Sequence, residues 1–282
     1  MLRIDLVADM ANIMRKELQE IGYKVNVPDD RELMMYYFTI CMRIVKTKPR
    51  RVHEAAGIVV PPSRQAGYDA LKEKFVRGVS VLPHMSKQIK GLKFQDKMLF
   101  DWGIHHFHLG TLVDADGFVK QYDEIVYAIV EENDVYFINV LDHEHWSDRN
   151  LLEIVLANWS HLLASFRLDG ELVTNFTSEQ VEELRKSNVN TALTLSDGHG
   201  YIGRGMGLTS AGTSSSAALD ANHMIRDLKR IEKDIKEQNQ PMGNEFQFFS
   251  LSRTPDAIYL DEPYTGYSQQ LFAFQSLKKK LS

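Results

Sequence analysis

The chain has 282 residues, of which 44% are hydrophobic and 25% are charged, and this composition excludes a wholly disordered protein. The formal net charge of −5 excludes a general attraction to nucleic acid, and it leaves room for a local basic patch. The single cysteine, Cys41, excludes an internal disulfide and favours a reducing compartment. The N-terminus carries no secretory pattern, and no apolar run reaches the roughly 18–20 residues that cross a bilayer. The sequence therefore predicts a cytoplasmic protein without a membrane segment.

The first part of the chain, residues 1–60, is predicted to be helical. Apolar residues recur at three- and four-residue spacing through 4–21, and Gly22 is a suitable stop for that helix. An acidic cap at Asp29 and Asp30 then precedes an apolar stretch, which predicts a second helix. This part of the chain is therefore expected to contribute a helical N-terminal segment.

The middle of the chain, residues 61–168, changes from helical to strand-like patterns. The predicted elements are helices at 64–79 and 83–89, strands at 99–112, 124–130 and 135–141, and a helix at 149–163. Glu131 to Asp134 make a break between two of these strands that is tight enough for a β-hairpin. The sequence thus predicts a central antiparallel sheet with flanking helices.

The last part, residues 169–282, alternates between short helices and strands. Its predicted elements are helices at 177–187 and 217–237 and strands at 191–195, 246–251 and 257–260. A Gly/Ser-rich stretch at 198–216 interrupts them. Together the three parts predict an α+β protein with an α/β portion at its C-terminal end.

Five of the ten histidines cluster in two short segments of the central part. His105, His106 and His108 lie in one segment, and His143 and His145 lie in the other. Because side chains alternate faces along a strand, His106 and His108 share a face, and so do His143 and His145 if their strand continues past Leu141. If the two segments are neighbours in one sheet, four imidazoles converge on one cleft.

General acid–base catalysis is the first use of such a cluster. Imidazole titrates near neutral pH, so a pair of histidines can take a proton from one oxygen and give one to another. Cleavage of RNA by its own 2′-hydroxyl needs little more than this and a cation that stabilises the phosphorane. Lys97, Lys120 and Arg149 are the candidate cations.

Two other uses stay open. A His-x-His pair on a strand suits zinc or a related ion, with Asp142, Glu144 or Asp148 completing the ligand set. Alternatively, the histidines are polar residues that pair with one another and with the backbone at a sheet edge. The protein would then be a non-catalytic binding or regulatory protein that recognises a partner or nucleotide through its C-terminal portion.

The order of elements predicted in 64–163 is helix, helix, three antiparallel strands and helix. The residue pattern of 124–143 is that of a central hairpin. Here the segment resembles the RelE-like toxin family, small ribonucleases that cut messenger RNA. The resemblance implies a helical hairpin packed on a compact antiparallel sheet, with acid–base and cationic residues on its open face. In that scheme His143 and His145 close the last strand, and His106 and His108 face them from the preceding strand.

The Gly/Ser-rich stretch offers three interpretations. Gly198 to Gly203 match the spacing of a dinucleotide-binding loop, and the residues up to Ser216 lead into a helix N-terminus that can hold an anion. A flexible loop, or a close-packed backbone, is the simpler interpretation.

The residues together favour a nuclease-like hydrolase that uses His106, His108, His143 and His145 for proton transfer. RNA and a protein are its candidate partners, and no cofactor is specified. A metal-dependent hydrolase or nuclease that uses the same histidines as ligands is the alternative.

Overall fold

The computed structural model describes residues 2–170, 172, 176–238, 247–275 and 277. These residues form two compact units. One consists of Arg43–Ile89 and Phe94–Ser216, and the other of the described residues within Met1–Met42, Lys90–Lys93 and Ala217–Ser282. The units do not follow the predicted segments 1–60, 61–168 and 169–282, because a strand inside the first segment pairs with the central sheet.

The helices and the sheets together confirm the predicted α+β fold. The α-helices are α1 (Leu6–Glu20), α2 (Asp30–Arg43), α3 (Gln65–Arg77), α4 (Lys97–Trp102), α5 (Asn150–Trp159), α6 (Ser178–Lys186) and α7 (Ser215–Gln238). The strands are β1 (Leu2–Arg3), β2 (Arg51–Glu54), β3 (His105–His108), β4 (Ile125–Val130), β5 (Asp134–Leu141), β6 (Leu193–Thr194), β7 (Gly200–Tyr201), β8 (Gln247–Phe248), β9 (Ser250–Arg253), β10 (Ala257–Glu262) and β11 (Tyr267–Ala273). None of the helices within the described ranges is long and apolar enough to span a membrane.

The larger unit is built around a four-stranded sheet of order β2-β5-β4-β3. β3, β4 and β5 are antiparallel, as the sequence predicts, and the hairpin between β4 and β5 turns where Glu131 donates its backbone N–H to Asp134. β2 adds a parallel edge, with Arg51 opposite Asp134, so the sheet is mixed. The four residues of β2 show too little alternation to stand out within a predicted helical segment.

The two faces of the sheet bury different residues. On one face, the Phe75 ring of α3 lies 5.4 Å from the ring of Phe107 and 5.8 Å from that of Phe137. On the other face, Tyr127 belongs to an apolar core that includes Val155 of α5. Because Phe107 points towards α3, its neighbours in β3 point to the opposite face.

Helix α3 packs very closely against the end of β3. A Cβ atom added to Gly67 would lie 1.8 Å from the carbonyl oxygen of Leu109, so that no side chain fits there.

We expect Gly67→Ala to lower the free energy of unfolding by about 1–3 kcal/mol, because the helix must move away from the strand. Urea denaturation measures this loss. Ala66→Ser, at an exposed position of the same helix, is the control and should change stability by less than about 0.5 kcal/mol. An equal effect of both variants would contradict the close packing.

The predicted strand at 99–112 is wrong in its first half, which is the helix α4. Asp96 caps that helix by accepting a hydrogen bond from the backbone N–H of Leu99 at 3.1 Å. Gly103 ends it with a φ of 71°, which glycine adopts without strain. Every residue from Met98 to Trp102 is buried, so the sequence shows no alternation between an apolar and a polar face.

The smaller unit contains α1, α2 and most of α7, a parallel pair β1-β8 and an antiparallel sheet β11-β10-β9. The predicted strands at 246–251 and 257–260 correspond to β8, β9 and β10, and Phe246 lies outside the described residues. Strand β11 was not predicted, because its residues are largely exposed and polar.

Candidate metal centre

Three histidines converge on the face of the larger unit's sheet. One ring nitrogen from each of His106, His108 and His143 lies within 4.8 Å of the other two. The ring centroid of His143 is 5.1 Å from that of His108 and 6.0 Å from that of His106. Tetrahedral zinc with Zn–N bonds of about 2.0–2.1 Å holds its ligand nitrogens about 3.3 Å apart. Modest side-chain rotations therefore bring the three nitrogens to the spacing that a metal requires.

The sheet register explains how the histidines meet. His106 lies opposite Tyr127 of β4, and His108 lies opposite Ile125, the first residue of that strand. Ile125 in turn lies opposite Leu141, the last residue of β5. β4 therefore separates the two histidine segments, which are not adjacent strands. His143, two residues beyond Leu141, reaches His108 past the end of β4.

His143 and His145 do not share a strand face, because the chain turns into a short 3₁₀ helix at His143–His145. Asp142 caps this turn, and its Oδ1 accepts hydrogen bonds from the backbone N–H of Glu144 at 2.9 Å and from Nδ1 of His145 at 2.8 Å. His145 is therefore paired with Asp142 rather than joined to the cluster. The expected convergence of four histidines is corrected to three.

Each clustered histidine also has a hydrogen-bond acceptor near its ring. Nδ1 of His106 lies 3.7 Å from Oδ2 of Asp96. The rings of His108 and His143 donate hydrogen bonds to the backbones of Tyr122 and Asp123 respectively. Histidines that bind metals typically use one nitrogen for the ion and donate the other to a carboxylate or carbonyl. The arrangement of acceptors thus matches that of a metal centre.

His108 provides a further indication. Its side chain is 2% exposed, and Nδ1 has no hydrogen-bond partner among the described residues. A buried ring nitrogen without a partner is costly unless it binds something else. A metal ion at the cluster would supply that partner.

The surroundings of His108 and His143 favour the neutral form of both rings. Burial, together with the like charges of the neighbouring His106 and His143, lowers the pKa of His108 to about 3. Burial, followed by the charge of His106, also lowers the pKa of His143. Neutral imidazoles have free lone pairs at neutral pH, which is the form that a metal binds.

Each of the three predicted cations contacts neutral groups of the protein. Lys97 donates its ammonium to the carbonyls of Arg185 at 3.1 Å and Lys186 at 3.0 Å. Arg149 donates to the carbonyls at positions 176 and 194. Lys120 lies over the ring of Tyr122, 5.4 Å from its centroid. Asp142, Glu144 and Asp148 were the candidates to complete a metal site. Among the described residues, none of them belongs to the cluster.

The cluster lies in the wall of an open cavity of about 530 Å³. Besides the histidines, the cavity is lined by Ser86, Gln88, Phe94, Gln95, Asp96, Lys97, Met98, Gln121, Ile125, Tyr127 and Trp146. The volume suits a small organic ligand. A metal held by three protein nitrogens would keep its remaining position open towards this space.

Asp96 is a residue of the candidate site that the sequence analysis missed. An aspartate before an apolar run indicates a helix cap, which Asp96 is, but no sequence signal connects it with a histidine in the following strand. His84 was predicted to be an isolated residue, and it too supports the site. Its Nδ1 lies 2.8 Å from the carbonyl oxygen of His108.

The Gly/Ser-rich stretch forms close-packed backbone rather than a dinucleotide loop. The backbone N–H of Gly205 donates to the carbonyl of Asp101 at 2.8 Å, and that of Gly207 donates to Phe100 at 2.7 Å. The helix α7 begins only at Ser215, well after Gly203, so its first turn lies outside the glycine motif. These contacts favour the simpler of the sequence-based interpretations.

Asp96→Asn separates the two roles of this residue. Asparagine caps a helix as well as aspartate does, so the variant should fold normally. It removes the negative charge beside His106, and we expect zinc affinity to fall by about 10-fold. Competition with a fluorescent zinc chelator measures the change, and thermal unfolding of the metal-free protein serves as the control. Unchanged affinity would show that Asp96 acts only as a cap.

Comparison of the chain with protein-family models, curated proteins and solved structures finds no match. The resemblance of 64–163 to RelE-like toxins therefore stays a prediction.

Proposed function

We propose that the protein is a metal-dependent hydrolase whose metal is held by His106, His108 and His143. The convergence of their ring nitrogens within 4.8 Å is the observation that carries this proposal. Zinc is the best candidate, because three imidazoles are a frequent ligand set of catalytic zinc sites.

Three neutral ligands leave the ion with its full positive charge and one open position. Bound zinc lowers the pKa of a coordinated water to about 7, which supplies hydroxide at neutral pH. Asp96 would orient His106 and raise the basicity of its ring. The open cavity would hold the substrate next to that hydroxide.

Metal-free proton transfer by the same histidines fits the geometry less well. That mechanism needs an imidazole that changes its protonation state near neutral pH. With a pKa lowered to about 3 by burial and by the charges of its histidine neighbours, His108 stays neutral at that pH. A ribonuclease mechanism also needs a cation for the phosphorane, and the ammonium of Lys97, which lines the cavity, already donates to two carbonyls.

The test combines metal analysis with activity. Purified protein should contain about one zinc per chain by elemental analysis, and His108→Ala should contain none. Hydrolysis of model esters and of RNA should stop on treatment with a chelator and return when zinc is added. RNA cleavage that persists in excess chelator and disappears in His108→Ala would overturn the metal proposal and favour proton transfer by the histidines.

A further inference from the structure

The charges of the cavity bear on the kind of substrate that it accepts. Apart from the histidines, Asp96 and Lys97 are the charged residues among those described as lining it. The ammonium of Lys97 is held by two backbone carbonyls, and Asp96 contacts His106 and the N-terminus of α4. Their opposite charges leave this lining with no net positive charge to attract a second negative group of a substrate.

The surroundings of the exposed histidine are acidic. Asp123 and Asp142 lie near enough to His143 to raise its pKa electrostatically, against the larger lowering effects of burial and His106. Arg64 is paired with Glu124, with Nε 2.9 Å from Oε2. Its guanidinium carbon lies 3.7 Å from the ring centroid of Tyr122. Fixed carboxylates at a site disfavour a substrate that carries several negative charges.

The remainder of the cavity wall is apolar or neutral. Phe94, Met98 and Trp146 supply apolar surface, and Gln88 and Gln121 supply amide groups that donate and accept hydrogen bonds. Such a wall suits an uncharged compound with an apolar group beside a polar one. A phosphodiester backbone would instead require lysines or arginines.

We propose that the substrate is an uncharged ester or amide with an apolar acyl group; this proposal rests on the metal-dependent hydrolase function. A hydroxide formed from water at the metal would bond through its oxygen to the acyl carbon. The bond from that carbon to the leaving oxygen or nitrogen would break with its electron pair, and the leaving group would take up the proton that the water had released. The products are a carboxylic acid and an alcohol or amine, and water is the only co-reactant.

Binding of three hydroxamic acids to the cobalt-substituted protein tests the charge preference independently of catalysis. Acetohydroxamic, benzohydroxamic and 4-carboxybenzohydroxamic acid share one metal-binding group and differ in apolar surface and charge. Titration of the visible cobalt spectrum should show that the benzoyl compound binds about 10-fold more tightly than the acetyl compound, because its ring packs on the apolar wall. The added carboxylate should weaken binding by about 10-fold. Equal or tighter binding of the carboxylate compound would overturn the inference.

The variant Gln121→Lys provides the matched reversal. Gln121 is an exposed residue of the lining, so a lysine there adds a free cation without disturbing the core. It should raise the affinity for the carboxylate compound relative to that for the benzoyl compound. No selective gain would count against the charge argument.

Hydrolysis then separates the inference from the proposed function. Rates above the metal-free background are compared for 4-nitrophenyl hexanoate and bis(4-nitrophenyl) phosphate. Faster turnover of the hexanoate supports both proposals, and faster turnover of the phosphodiester overturns the substrate class while the hydrolase stands. If zinc binds and neither compound is cleaved, the hydrolase proposal fails, and the hydroxamate ranking still decides the charge preference.

Discussion

The His143→Ala variant is expected to lose zinc while keeping the fold of the larger unit. The histidine follows β5, its side chain is exposed, and it is not part of the apolar core around Tyr127 and Val155. Its removal leaves His106 and His108, and two imidazoles on one strand bind zinc poorly. Zinc affinity should fall by more than about 100-fold, which exceeds the usual effect of removing an outer partner. Hydrolytic activity should disappear with the metal.

His145→Ala is the matched control for this prediction. Both histidines lie in the same 3₁₀ turn, but His145 is paired with Asp142 and is not a member of the cluster. Its replacement should leave the zinc content at about one per chain and the affinity within about 3-fold. Competition with a fluorescent chelator and elemental analysis give the two readouts. Similar losses in the two variants would show that the turn as a whole, rather than a ligand, holds the metal.

The sequence predicted the strands and helices whose patterns are regular over many residues. The hairpin of β4 and β5 could be predicted because two strongly apolar runs flank a polar break, and the structure confirms it. Helix α6 is likewise confirmed, and its start could be predicted because Thr177 and Gln180 form a capping box there. Where burial is uniform, as in α4, or where a strand is as short as β2, the pattern carries too little information to identify the element.

The site could be predicted only in part, for a related reason. The shared face of His106 and His108 follows from strand alternation and was correct. The position of His143 depends on a side-chain cap at Asp142 and on the stagger of β4 and β5, and neither can be derived from residue types alone. The approach of Asp96 to His106 depends on how α4 lies against the sheet, which local sequence does not specify.

The largest expected loss of stability comes from a buried ion pair that supports the cavity wall. Arg185 of α6 is 1% exposed and Asp101 of α4 is 4% exposed, and a guanidinium nitrogen lies 2.7 Å from Oδ2 of the carboxylate. The guanidinium lies 4.1 Å from the ring centroid of Trp102 and donates to the carbonyl of Trp146. Burial raises the pKa of Asp101 and the charge of Arg185 opposes that rise, so each ion makes the burial of the other tolerable.

Arg185→Met removes the charge and keeps most of the length of the side chain, so Asp101 is left buried without its cation. We expect the free energy of unfolding to fall by about 3–5 kcal/mol, measured by urea denaturation at neutral pH. Asp101→Asn in the same chain removes the uncompensated charge, and the double variant should therefore be less destabilised than the sum of the single ones by about 1–3 kcal/mol. A loss below about 1 kcal/mol for Arg185→Met would mean that water reaches the pair, which is incompatible with its burial.

Because Trp146 borders the cavity and accepts a hydrogen bond from Arg185, zinc should protect the wild type against urea more than it protects this variant.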